Sequence, residues 1–340
     1  MKKLTATYQI VTPMFIGDAN QEAASIRPPS IKGMLRFWWR ALNWGKYLEL
    51  KNADVLKALG ALHAEEARLF GSAVEKDKGG QGAFLLQVTK QPHPKARQKI
   101  WPEKPPIEGK RKEAIGSSYF GFGLWEDKTN STHRESIIEG NSFTLSFCFK
   151  PKISSEDVAK DIKEIKEVLK VFGLFGGLGS RSRRGFGSVC LTELVDTEKT
   201  ELFDYSLSEY RQKTCQVIDE YRDIKKVPYS AFSQYARFEI VEQGKDARQI
   251  HGRAGYAYKN YRDNLKKWEK IPFGLPLSKI DENRRASPLL YHVHPLNKGN
   301  FVVGVLYLPA TFHHVKPKYK TSNLEHFYKP VSNFLNRGIH

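Results

Sequence analysis

The sequence predicts an α+β fold of two tandem ferredoxin-like units, the second incomplete. Three observations lead there. The first half of the chain reads strand, helix, strand, strand, helix, strand once a helix added after the first is set aside. That is the split βαβ order. Apolar residues alternate in the segments read as strands and recur at helical spacing between them. The second half repeats the order less clearly and lacks a closing strand.

Leu4 to Thr12 alternates as a strand, and Pro13 to Pro29 is a loop. Ser30 is placed to cap the helix that follows, which runs from Ile31 to Leu48. Asp54 to Phe70 is a second helical stretch, ended by Gly71 and Ser72. Ala83 to Thr89 is a strand. Gln91 to Lys112, rich in Pro and Lys, reads as a mobile loop. In the strand Ser142 to Lys150, Phe143, Leu145, Phe147 and Phe149 share one side. Ser154 to Phe172 is an amphipathic helix, followed by a Gly-rich loop and a strand from Ser188 to Thr192. In the second half, Gln234 to Val241 is strand-like and Gly255 to Glu269 helical. Pro288 to His294 and Asn300 to Leu308 form a strand pair turning at Asn297-Lys-Gly-Asn300, and Ser322 to Leu335 is a closing helix. The expected division is a first unit over residues 1–195, a partly helical linker over 196–230 and a second unit over 231–340.

Of the 340 residues, 55 are Lys or Arg and 37 are Asp or Glu, a formal charge of +18. This favours a polyanionic partner, either nucleic acid or an acidic membrane surface. The three cysteines, Cys148, Cys190 and Cys215, have neither disulfide nor zinc spacing, which fits a reducing cytoplasm. No apolar run approaches the roughly 20 residues of a membrane span. The N-terminus alternates like a strand and does not read as a signal peptide.

Two segments concentrate the charge. Between Gly176 and Val189 lie five glycines and three arginines, Arg181, Arg183 and Arg184. Gly177 and Gly179 let the backbone approach a ligand. Ser180 and neighbouring N–H groups, with the forked guanidiniums, suit phosphate. A Walker loop is excluded because this loop holds no lysine. A dinucleotide fingerprint is disfavoured because it follows a strand and opens a helix, the reverse of the order here. On the first helix, Lys32, Arg36 and Arg40 fall within about 80° of one another, with no acid among them. Met34, Leu35, Phe37, Trp38, Ala41 and Leu42 fill the opposite side, as a core face. Trp39 sits at the edge of the basic stripe, where it is expected to stack on a base.

Four segments carry a resemblance. Ala24-Ser-Ile-Arg-Pro-Pro-Ser-Ile-Lys-Gly-Met-Leu-Arg-Phe-Trp-Trp-Arg-Ala41 resembles the N-terminal signature of the first-subunit family of Cmr (type III-B CRISPR) effector complexes. Leu69-Phe-Gly-Ser72 and Gly176 to Val189 are similar to elements of its superfamily, the repeat-associated mysterious proteins. Arg284-Arg-Ala-Ser-Pro-Leu-Leu-Tyr-His-Val-His294 resembles a C-terminal element of the same subunit. The resemblance implies two packed ferredoxin-like domains related to RNA-recognition folds. It also implies a non-catalytic, cytoplasmic subunit near the 3′ end of the guide (crRNA), holding guide or target RNA against other Cmr subunits. Arg27, Arg284, Arg285, His292 and His294 join the expected RNA contacts on that basis.

No cofactor, metal or membrane is expected. His292 and His294 alternate on one strand and His313 and His314 follow one strand later, but no carboxylate or cysteine nearby has ligand spacing. The competing function is a metal-independent endoribonuclease with His292, His294 or His251 as general base. Against it, the first helix carries no histidine and His63 stands alone on the next. No Gly-Gly-Asp-Asp or His-Asp pair marks a polymerase-like subunit.

Overall fold

The computed structural model describes residues 2–17, 25–73, 80–93, 97–98, 112–124, 135–151, 154–197, 199–277, 281–311 and 323–337. Ala24, His313, His314, Ser322 and most of the stretch from Gln91 to Lys112 lie outside them.

In the first half the elements are β1 (Lys3–Ile10), α1 (Pro28–Leu50), α2 (Val55–Phe70), β2 (Phe84–Lys90), β3 (Arg97–Gln98), α3 (Lys112–Phe120), β4 (Ser136–Ile137), β5 (Ser142–Phe149), α4 (Ser155–Phe175) and β6 (Val189–Val195). There follow β7 (Thr200–Leu202) and α5 (Leu207–Asp219). The main sheet is ordered β2-β5-β1-β6-β7, antiparallel throughout. Its first four strands have the ferredoxin-like order, with β7 added at the edge. Alternation sets the register: Leu4, Ala6 and Tyr8 of β1 face the core opposite Phe147, Leu145 and Phe143 of β5. On that face lie Trp38 and Leu35 of α1 and Ile165, Leu169 and Phe172 of α4.

The second half comprises β8 (Arg237–Gly244), α6 (Ala247–Asp263), a 3-10 segment (Lys267–Phe273), β9 (Leu275–Leu277), β10 (Asp281–Arg285), β11 (Leu289–Leu296), β12 (Asn300–Tyr307), α7 (Leu324–Phe327) and α8 (Lys329–Leu335). Its sheet is ordered β11-β12-β8. This is the ferredoxin-like arrangement with three strands, and among the described residues none occupies the fourth place beside β8.

Several boundaries differ from expectation. Helix α1 starts at Pro28, so Ser30 lies inside it and does not cap it. Pro28 and Pro29 fill the first helical positions, where their fixed φ and absent N–H cost nothing. Helix α6 starts at Ala247, eight residues before the expected Gly255, behind an Asp246 cap whose side chain accepts from Arg248 and Gln249 N–H. The closing helix is split into α7 and α8. Helix α3, not anticipated, packs on α6 across the two halves through glycine. A Cβ on Gly116 would lie 1.8 Å from the Gly252 carbonyl oxygen. An Arg248–Glu139 ion pair at 2.7 Å adds to that junction.

Candidate nucleic-acid interface

The Gly-rich loop joins α4 to β6 and is held from both sides. Ser180 N–H donates to the Phe15 carbonyl at 2.8 Å and Gly187 N–H to Pro13 at 2.9 Å. Thr12 Oγ1 donates to Gly185 O at 2.7 Å. From the second half, Tyr291 N–H donates to Arg183 O at 3.0 Å and Val293 N–H to Ser188 Oγ at 3.0 Å. Gly179 has φ +84°, and a Cβ there would meet the Phe15 oxygen at 2.4 Å. Gly187 has φ +59°, and its Cβ would meet the Leu178 oxygen at 2.1 Å. The glycines thus serve close backbone packing within the protein. The backbone N–H groups expected to grip phosphate are used internally too: Leu178, Ser180, Arg184, Gly185 and Gly187 all donate to carbonyls of the protein. Gly177 is buried, while Gly179 is exposed.

What the loop offers outward is guanidinium. Arg181, in the left-handed region at φ +61°, donates from Nη2 to the Phe122 carbonyl. Such a backbone costs a non-glycine residue about 1–3 kcal/mol and is found where the surroundings over-determine it. Arg183 lies over the Phe37 ring at 5.1 Å and donates to Ser287 O at 2.9 Å. Burial, then the nearby Arg184 charge, push its pKa down to about 10. Arg184 sits 4.5 Å from the Tyr258 ring centroid, 5.7 Å from Phe120 and 6.0 Å from Tyr291. Arg262 of α6 stacks on the same Tyr258 at 5.6 Å and donates to Tyr119 Oη at 2.8 Å. Arg285 bonds Ala310 O, Thr311 O and Tyr328 Oη at 3.0, 3.2 and 2.7 Å.

These five arginines line one cleft of about 680 Å³ between the loop, the end of α3 and the β9–β10 hairpin. Tyr119, Phe120, Phe122 and Phe273 complete its walls, and no carboxylate is among the described residues lining it. Arg184 Nη1 and Arg262 Nε are buried with no hydrogen-bond partner among the described residues. A buried donor left unsatisfied costs about 1–3 kcal/mol. Both atoms are donors only, so what would satisfy them is an acceptor.

The first helix is different. Glu66 of α2 accepts from Arg36 Nε at 2.5 Å and from Arg40 Nη1 at 2.6 Å. Lys32 Nζ donates to Phe70 O at 2.9 Å, and burial, then Arg36, lower its pKa. The stripe expected to lack an acid is therefore closed by one from the next helix, which a projection of α1 alone does not contain. Trp39 is fully buried with Nε1 donating to Glu164 at 3.0 Å, so it has no face for a base. Arg27 is exposed at the head of α1, and Arg284 is exposed beside the cleft.

The histidines expected to touch RNA are enclosed as well. His292 Nδ1 reaches Gly176 O at 2.9 Å, His292 Nε2 reaches His294 Nδ1 at 3.3 Å, and His294 Nε2 reaches Cys190 Sγ at 3.9 Å. The chain is satisfied when His292 carries its proton on Nδ1, His294 on Nδ1 and Cys190 on sulfur. His294 also stacks on Tyr210 at 4.1 Å. His251 Nε2 lies 2.7 Å from Arg184 O. Burial lowers all three, His251 to about 4 and His292 to about 3. None presents a ring to an incoming phosphate. Among the described residues no cluster of His, Cys, Asp and Glu has the arrangement of a metal site. No helix there is long and apolar enough to cross a membrane.

Sequence reasoning missed Arg262, Tyr119, Phe122 and Phe273. Their one local signal is Gly121-Phe122-Gly123, an aromatic residue set between glycines.

Residues 7–190 match the RAMP superfamily, and the chain belongs to it. Within that class the likeness is to Cmr1 subunits. The chain is 27% identical over 312 residues to the CRISPR system Cmr subunit Cmr1-1 of Pyrococcus furiosus, covering 86% of this chain and 83% of that protein. The crystal structure of Cmr1 from Pyrococcus furiosus, apo form, superposes with a TM-score of 0.60 at 22% identity, over 98% of this chain and 97% of that one. A chain of the type III-B Cmr-beta complex bound to cognate target RNA superposes with a TM-score of 0.55 at 12% identity, over 98% and 99%.

Proposed function

We propose that this protein is a non-catalytic RNA-holding subunit of a type III-B (Cmr) CRISPR effector complex. Its ligand is guide RNA near the 3′ end, target RNA, or both, and its protein partners are other Cmr subunits. The observation that carries this is the cleft in which five arginines converge with no carboxylate among the described residues lining it. Single-stranded RNA, a chain of phosphates carrying stackable bases, matches guanidiniums interleaved with aromatic rings. A relative named as a Cmr subunit and a structural neighbour from a complex bound to target RNA support the reading. The enclosure of His251, His292 and His294 supports the non-catalytic part, since a general base must reach the proton it removes. The two units of this reading are residues 1–195 and 231–340, with 196–230 as connector.

The test is fluorescence anisotropy of the pure protein with a labelled single-stranded RNA, alongside a gel of the same mixture with and without EDTA. Binding that Arg181→Glu abolishes, with the RNA intact after incubation, is the expected outcome. RNA cleavage that persists in EDTA overturns the non-catalytic role. Affinity untouched by Arg181→Glu overturns the cleft as the site.

A further inference from the structure

We infer that Phe122 is the base-stacking platform of the arginine cleft, so that the site takes a nucleotide by its base as well as its phosphate. This rests on the reading of the cleft as an RNA site. The turn after α3 presents the ring. Phe120 and Leu124, two residues to either side, are anchored in the core at 2% exposure each, while Phe122 between them is 72% exposed. The turn is closed by Gly121 N–H to Ser117 O and Leu124 N–H to Gly121 O, both at 2.8 Å. Its backbone is tied to the ligand-facing loop, because the Phe122 carbonyl accepts from Arg181. Gly123, at φ +83°, gives the turn a left-handed backbone that L side chains rarely adopt.

Among the described residues Phe122 is the exposed large hydrophobic residue that also lines the cleft. Among the described residues no aromatic ring is stacked on it, whereas Phe120 packs against Tyr258, Tyr291 and His251. An apolar ring left in water beside a cation anchored by its own carbonyl suits a ligand with a phosphate and a flat face one nucleotide apart. Stacking of this kind tolerates any base, because every base has a π-face.

The experiment compares a labelled single-stranded RNA with an abasic oligonucleotide of the same length and backbone, on the full chain. Wild type is expected to bind the base-bearing strand more tightly by roughly five- to a hundredfold. Phe122→Ala is expected to lose that preference while binding the abasic strand as wild type does, and Phe122→Tyr to keep it. Melting curves of both variants should match wild type, since the ring is exposed. A preference that survives in Phe122→Ala, or one absent from wild type, overturns the platform. So does an equal loss on both strands. Failure of the underlying site shows differently: an Arg181→Ala/Arg262→Ala double variant would then bind both strands as wild type does.

Discussion

The basic stripe of the first helix (Lys32, Arg36 and Arg40) and the Gly-rich loop carry three basic residues each, and read along the sequence they look alike. Folding separates them. Arg36 and Arg40 converge on one Glu66 oxygen, whereas Arg181, Arg183 and Arg184 meet two further arginines and aromatic rings. Coulomb attraction is short-ranged in water at physiological salt, so the neighbour within 4 Å decides whether a cation is spent or available. Counting cations along a chain therefore locates candidates, and counting carboxylates around them in space selects among these. The two places also touch, since Arg183 lies over Phe37 of α1.

The largest expected effect breaks the comparison directly. Removing two cleft guanidiniums, as in Arg181→Ala/Arg262→Ala, deletes charge-assisted contacts worth about 1.5–3 kcal/mol each. RNA affinity should fall by a hundredfold or more, whereas Arg36→Ala/Arg40→Ala should shift it by less than about threefold. The loss should be similar for unrelated RNA sequences, because phosphate contacts position without reading bases. Equal losses in the two double variants, measured by anisotropy, would erase the distinction.

The second prediction uses pH. His251 and His292 accompany the loop, one at the Arg184 carbonyl and one at the Gly176 carbonyl. Their folded pKa values, about 4 and about 3, lie below the ordinary 6.5. The unfolded chain therefore binds more protons below pH 6.5. Stability from these groups is complete above that pH and is lost as pH falls towards 4, at roughly 1.4 kcal/mol per histidine per unit. Denaturant titrations at pH 7 and pH 5 should differ by about 2 kcal/mol per buried histidine, and His292→Gln should reduce the difference by its own share. An identical pH profile for that variant would place its neutrality elsewhere.

A third effect, of about 1–3 kcal/mol, falls on the loop backbone. Gly179→Val meets the Phe15 oxygen and a positive φ at once, so its melting temperature should drop. Gly33→Ala, in α1 with nothing within 4 Å of the added carbon, should be neutral or gain up to about 1 kcal/mol by helix propensity. Two glycines of like appearance in sequence are thus told apart by what their missing Cβ would touch.

Much of the fold is legible in the sequence because its signals are local. The alternation Phe143, Leu145, Phe147, Phe149 gives β5 its face, and the apolar spacing of α4 gives the helix before the loop. Local signals fail where a distant partner decides. The helix expected from Gly255 begins at Ala247, and Gly252 within that added stretch is the seat for Gly116 of α3. Trp39 reads as the edge of a basic face until Glu164 of α4 takes its N–H. His292 and His294 read as strand histidines facing one side, as they are, but that side is interior. Arg262 could not be assigned from its helix, because the ring it shares with Arg184 is Tyr258 and the shared cleft is closed by the loop from the other half.

The last effect is the one that sharpens the comparison most. Glu66→Gln keeps the shape and one acceptor oxygen but removes the charge that neutralises Arg36 and Arg40. The guanidiniums are 29% and 36% exposed but Glu66 is only 4% exposed, so the loss of stability should be about 1–3 kcal/mol. The electrostatic consequence is a gain. Two cations released on α1, next to the helix residue under Arg183, form a second set of phosphate contacts. Salt titration of RNA binding should then steepen, each new contact adding about 0.7 to the slope of log affinity against log salt, with affinity at low salt rising several-fold. A slope unchanged from wild type would mean that α1 lies off the RNA path even when its arginines are free. Glu66 would then hold two helices together and do nothing to confine RNA to the cleft.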